Sequence, residues 1–231
     1  RTAYRGEMRY GVVNDMRKLD ESLTYKAVEK YLQLAATPSQ LTKAPEIHYP
    51  TLTVDNAKRR QSAMKFSIDE ATPLIAFMPG AEFGPTKQWP GEYFGELAIR
   101  FKKLGYQVFV FGSPKDQVIG DEIVRASNGD AKSLCGQTNL EEAVDLLSLA
   151  KVAITNDSGL MHIAAAVGRP IVAMYGAITP EYTPPLTDKK EIQYLGLECS
   201  PCWKKQCPYG HYNCLKNIEV EKVFQSAQKF L

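Results

Sequence analysis

No stretch of this chain approaches the 18 consecutive apolar residues that read as a membrane-spanning helix. Charge of one sign is scarce too. Lys and Arg number 28 against 26 Asp and Glu, a net charge of +2, so composition argues against nucleic acid or a strongly anionic surface as partner. Internal repeats and low-complexity tracts are absent. The opening Arg1-Thr2-Ala3-Tyr4-Arg5 lacks the apolar core of a signal peptide, which makes the cytoplasm the expected location. The chain does not begin with Met and opens inside what reads as an ongoing element, so an upstream region is expected. Two nucleotide signatures are also lacking. No G-x-G-x-x-G follows any apolar run, which argues against an NAD-type dehydrogenase. Gly80 and Gly84 lie one residue too close for a P-loop, and Lys87 does not follow Gly84.

What is present is an ordinary soluble composition, 231 residues with 44% hydrophobic and 23% charged. That is enough for one large domain or one and a half smaller ones. Helical spacing of Tyr25, Val28, Tyr31, Leu32 and Ala35 predicts a helix within Thr24–Ala36, and a polar helix is expected from Val54 to Phe66. After Pro73 short apolar runs alternate with helical patterns. Strands are expected at Leu74–Met78, Val108–Phe111, Val152–Ile154 and Ile171–Tyr175. Helices are expected after Trp89-Pro90 up to Gly105, at Asp116–Ala126, from a Thr138–Glu141 capping box through Leu149, and at Ser158–Val167. Strands separated by such helices imply parallel pairing with helical crossovers, a doubly wound α/β domain legible from 72 to about 197. Ligands of such sheets sit beyond the carboxyl ends of the strands.

The turn Asn156-Asp157-Ser158-Gly159 opens a small-residue helix. Unpaired backbone N–H groups and the helix dipole favour an anion there, and Gly159 permits close approach. An ordinary helix cap by Ser158 or Asp157 explains the same residues. His162 lies one turn further, on the same mouth. Lys87, in the Gly/Pro loop after the first strand of the domain, suits a diphosphate as a point charge, or is a solvated surface lysine. Trp89-Pro90 reads as packing plus a helix-start signal. Asp116, after Gly112-Ser113-Pro114-Lys115, is placed to accept from ribose hydroxyls.

Pro79–Pro90 (PGAEFGPTKQWP), Phe111–Asp116 (FGSPKD), Thr155–Ala166 (TNDSGLMHIAAA) and Arg5–Gly11 (RGEMRYG) together resemble glycosyltransferase family 9 over most of the chain. The resemblance implies a GT-B architecture, with residues 71–231 as a Rossmann-like sugar-nucleotide domain and 1–70 as the end of an acceptor-side domain plus linker. It implies an inverting, metal-independent transfer of heptose from ADP-heptose to the inner-core heptose of lipopolysaccharide, by a cytoplasmic enzyme in peripheral contact with the inner membrane. Carried over by position, Lys87 contacts the diphosphate, and Asp157, Ser158, Gly159 and Leu160 contact phosphate and heptose. His162 supports that turn, Glu82 and Phe83 lie beside the phosphates, and Asp116 lies near the ribose. No residue matches the family's general base, an acidic side chain near the start of the N-terminal domain, which places that base in the expected upstream region. A non-catalytic nucleotide-binding module and a GT-B enzyme for another nucleotide sugar are the alternatives. Arg1, Arg5, Arg9 and Arg17 form either a solvated face or a contact for acidic core sugars.

Four of the five cysteines fall in Cys199-x2-Cys202-x4-Cys207-x6-Cys214, with His211 as a spare ligand. The run is compact enough for one tetrahedral zinc, but it lacks the usual zinc-finger interval. Reduced thiols, disulfides, a structural zinc or an iron–sulfur cluster all fit it. No cofactor is otherwise called for.

Overall fold

The computed structural model describes residues 1–6, 8, 10–36 and 44–231. Glu7, Arg9 and the loop proline Pro38 lie outside the described residues. By their contacts the chain forms two units, Arg1–Tyr49 with Pro180–Pro184, and Pro50–Thr179 with Pro185–Leu231.

The smaller unit holds two short parallel strands, β1 (Thr2–Tyr4) and β2 (Asp15–Arg17), and helix α1 (Ala27–Ala35). Arg17 is committed to this unit's interior. Its guanidinium pairs with Asp15 at 2.7 Å and donates to the carbonyls of Leu34, in the last turn of α1, and of Ala36, just beyond it. It is thus a structural tie and not part of a free basic face.

The larger unit is built on six parallel strands in the order β5-β4-β3-β6-β7-β8. They are β3 (Leu74–Met78), β4 (Gln107–Val110), β5 (Ala131–Ser133), β6 (Ala150–Asn156), β7 (Ile171–Tyr175) and β8 (Lys190–Tyr194). Every residue of β3 and β7 is buried, because helices cover both faces and both side-chain sets must be apolar. Side chains alternate between two cores. Ile75 and Phe77 join one with Trp89, Phe94, Leu97, Phe101, Ile123 and Val223. Leu74, Ala76 and Met78 join the other with Ala63, Leu146, Leu147, Met161 and Ala164. The first face is covered by α3 (Gly91–Lys103), α4 (Gln117–Ala126) and the C-terminal α8 (Val220–Gln228), with the short α7 (Asn213–Lys216) before it. The second is covered by α2 (Asn56–Lys65), α5 (Leu140–Leu147) and α6 (Gly159–Ala166). Helix α2 goes with the sheet because the Ser62 hydroxyl donates to the buried Asp145 carboxylate at 3.0 Å and Ala63 is buried.

Trp89 is a core residue. Its indole N–H donates to the Ile218 carbonyl at 3.0 Å and its ring meets Phe94 edge-on at 4.9 Å. Pro90 holds the N-cap position of α3, one place before the first helical residue. The cap of α5 is Asn139, whose side chain accepts from Glu142 N–H at 2.9 Å while Glu142 accepts from Asn139 N–H. The capping box thus lies one residue later than the Thr138–Glu141 reading. No helix of the described residues is long and apolar enough to cross a membrane.

Candidate functional site

The sheet order reverses between β3 and β6, since β3 is followed outward by β4 and β6 by β7. A crevice opens at such a switch point, outside the carboxyl ends of the strands. Here it is walled by the loop after β3 (residues 79–90), the turn after β4 and the turn from β6 into α6. A cavity of about 340 Å³ lies there, lined by Gly80, Ala81, Glu82, Gly112, Ser113, Asp116, Leu140, Ser158, Gly159 and Leu160 among others.

Of the residues singled out in the sequence, Glu82, Asp116, Ser158, Gly159 and Leu160 line this cavity. The other four, Phe83, Lys87, Asp157 and His162, form a second group outside its lining. The Lys87 ammonium donates to the Asp157 carboxylate at 2.5 Å and stands 5.2 Å from the centre of the Phe83 ring. His162 lies one turn into α6. Burial holds its pKa below the ordinary value; Asp157 pulls it up and Lys87 pushes it down, and the net effect is a lowering. The imidazole is therefore neutral at neutral pH. Ser158 is the N-cap residue of α6 by backbone position, but its side chain makes no cap bond. Its hydroxyl instead lies 3.4 Å from the Thr155 hydroxyl, so capping does not account for Ser158. Gly159 and Leu160, in the first turn of α6, line the crevice, and the N–H groups of a helix's first turn have no partner within the helix.

Asp116 lines the cavity between two glycines. A Cβ on Gly80 would stand 2.6 Å from its carboxylate and one on Gly112 would stand 2.7 Å from its Cβ. One carboxylate oxygen accepts from the Ser113 N–H and hydroxyl, each at 2.7 Å. Above it Lys115 donates to Glu82 at 2.6 Å, an exposed pair that depresses the Glu82 carboxyl through that bond and raises the Lys115 ammonium.

The loop carrying Lys87 is held at several points that sequence reasoning passed over. The Thr86 hydroxyl donates to the Lys204 carbonyl at 2.6 Å. Gly84 has φ +140 and lies so close to the Lys205 carbonyl that a Cβ would be 2.7 Å from it, so only glycine fits. Asn156, fully buried at the end of β6, binds both ends of the loop. In the sequence this position shows only as an asparagine after an apolar run, with its partners 67 and 77 residues away.

The cysteine run packs beside this loop. All five cysteines are free. Burial, and then the charges of Cys202, Cys199 and Cys207, push the Cys214 thiol up. Burial also works against the Cys207 thiolate, but backbone N–H groups of Tyr212, Tyr209, His211 and Gly210 outweigh it and lower its pKa. Among the described residues no group of three or more His, Cys, Asp or Glu is placed to hold a metal ion. The Cys207 sulfur faces amides of its own loop, and the Cys214 sulfur would lie 3.1 Å from a Cβ placed on Gly176.

The family model described as glycosyltransferase family 9 (heptosyltransferase) matches residues 1–213. Lipopolysaccharide heptosyltransferase 2 of Salmonella typhimurium is 40% identical to this chain, over all of it and 69% of that protein. Lipooligosaccharide heptosyltransferase 2 of Haemophilus influenzae is 43% identical over all of this chain and 70% of that protein. The structure of the Escherichia coli ADP-heptose lipopolysaccharide heptosyltransferase II superposes with a TM-score of 0.87 at 38% identity, covering 99% of this chain and 69% of that one.

Proposed function

We infer the function from one premise: the chain belongs to glycosyltransferase family 9, the heptosyltransferases. It is a glycosyltransferase that moves heptose from ADP-heptose to the inner-core heptose of lipopolysaccharide, in lipopolysaccharide core biosynthesis. The observation that carries this reading is the pairing of Lys87 with Asp157 at the start of α6, beside the cavity that Asp116 lines. The cavity receives the nucleoside, with Asp116 toward the ribose, and the diphosphate lies across the N-terminus of α6 within reach of Lys87.

In the reaction the bond between heptose C1 and the diphosphate oxygen breaks as an acceptor hydroxyl bonds to C1 from the opposite face, inverting the anomeric centre. Negative charge grows on the departing ADP. The Lys87 ammonium and the N–H groups of α6 supply the compensating field, so the transfer needs no metal. The acceptor proton goes to a base. Asp157 is not that base, since its carboxylate is already paired with Lys87 at 2.5 Å; arriving diphosphate instead takes over part of that lysine. The acceptor is a lipid-linked sugar, so the enzyme works at the inner-membrane surface.

Calorimetric titration tests the donor site. ADP binds more tightly than UDP, and Lys87→Ala weakens ADP by about 1–3 kcal/mol. Equal affinity for ADP and UDP, or no change in Lys87→Ala, overturns the reading. Transfer from ADP-heptose that survives a chelator checks metal independence.

A further inference from the structure

Asn156 is the last residue of β6 and fully buried, directly before Asp157. Its amide oxygen accepts from the Trp89 N–H at 3.1 Å and its amide nitrogen donates to the Pro79 carbonyl at 2.6 Å. The orientation is forced, because a backbone N–H only donates and a carbonyl only accepts. Pro79 and Trp89 are the two ends of the loop that carries Lys87. One planar amide, reaching across the switch point from β6 to the end of β3, therefore closes that loop at its neck. The residue after it supplies the counter-ion of the lysine.

We propose that Asn156 is a positioning residue for donor binding, setting the place of Lys87 by clamping both ends of its loop. The inference rests on the reading that Lys87 meets the diphosphate. Few side chains can do this work at this length. Asp at neutral pH has no donor for the Pro79 carbonyl, Ser and Thr offer one atom for two partners, and Leu leaves both backbone groups buried and unsatisfied. The Asn156 amide is fully buried and both its oxygen and its nitrogen are engaged by the loop ends, so its effect passes through the loop.

A double-mutant cycle on the chain tests this, with ADP and AMP as titrants and circular dichroism as the check on folding. Asn156→Asp weakens ADP about tenfold, the scale of one lost buried hydrogen bond, and weakens AMP less, since AMP lacks the β-phosphate. In the Lys87→Ala background the same substitution changes ADP affinity by less than about twofold, because the lysine it positions is gone. Asn156→Ser, which leaves room for a bridging water, is read in the same two backgrounds should the aspartate variant not fold. Equal losses in both backgrounds overturn the inference while leaving the donor site standing, as does ADP binding that ignores Asn156. If neither variant folds, Asn156 serves the whole sheet and the inference falls. If Lys87→Ala alone leaves ADP binding unchanged, the diphosphate reading falls and takes this inference with it.

Discussion

A methyl group placed on Gly159 would meet no protein atom within 4 Å. The glycine is therefore not there for packing, and its backbone does not need the left-handed region. In the first turn of a helix alanine is favoured over glycine by up to about 1 kcal/mol. Gly159→Ala is thus expected to leave the unfolding midpoint unchanged or raised, while ADP binding weakens because the new methyl points into the open space proposed for the diphosphate. A thermal melt paired with calorimetry checks both halves, and unaltered affinity would mean the ligand does not approach this backbone. His162, on the same helix, gives a pH signature. Its folded pKa lies below the 6.5 of the free side chain, chiefly through burial, so on acidification the unfolded chain takes up the proton first. Stability therefore falls as the pH drops through 6.5 toward the folded value and levels off below it. Urea midpoints between about pH 7.5 and pH 5 record the slope, and His162→Gln is expected to flatten it.

Among the elements, α3 and α4 cross most tightly where Gly95 meets the end of α4. A Cβ there would lie 2.4 Å from Ala126 Cβ and 2.9 Å from the Ala126 carbonyl carbon. Helix preference would reward alanine by about 1 kcal/mol, but overpacking against a backbone that cannot yield costs about 1–3 kcal/mol. The clash wins, and Gly95→Ala is expected to lower the urea midpoint without touching ADP binding in the folded fraction. The elements also divide by how readable they are. Strands β3 and β7 stand out because both faces are covered and their residues are apolar throughout. The edge strand β8 (KEIQY) is only half-buried along its length, so it needs no apolar run and its sequence resembles a loop. Strand β5 has three residues with Lys132 exposed, too short for alternation to register. At the site, Lys87, Asp157 and Gly159 were legible from turn chemistry next to strand ends. Asn156 and Thr86 were not, since their partners, Pro79, Trp89 and Lys204, are distant in sequence and only the fold brings them near.

For the molecule as a whole, one parallel sheet places the candidate site residues beyond the carboxyl ends of its strands, with the strands as a rigid base and the loops as the working surface. The two strands flanking the crevice are neighbours in space but far apart along the chain: the Asn156 amide and the Pro79 carbonyl are separated by 77 residues. Of the six strands of this sheet, β3, β4 and β5 leave the ribosome first and can pair among themselves. Strand β3 (Leu74–Met78) then has one edge bonded to β4 and the other open until β6 arrives. Such an edge, apolar and unprotected, is a template for pairing with another chain, and long-range parallel pairing is slow to form. The crevice proposed for the nucleotide is therefore assembled late, at a seam where the nascent protein is open to pairing with another chain. Cells making it depend on β6 reaching that seam before a neighbouring chain does.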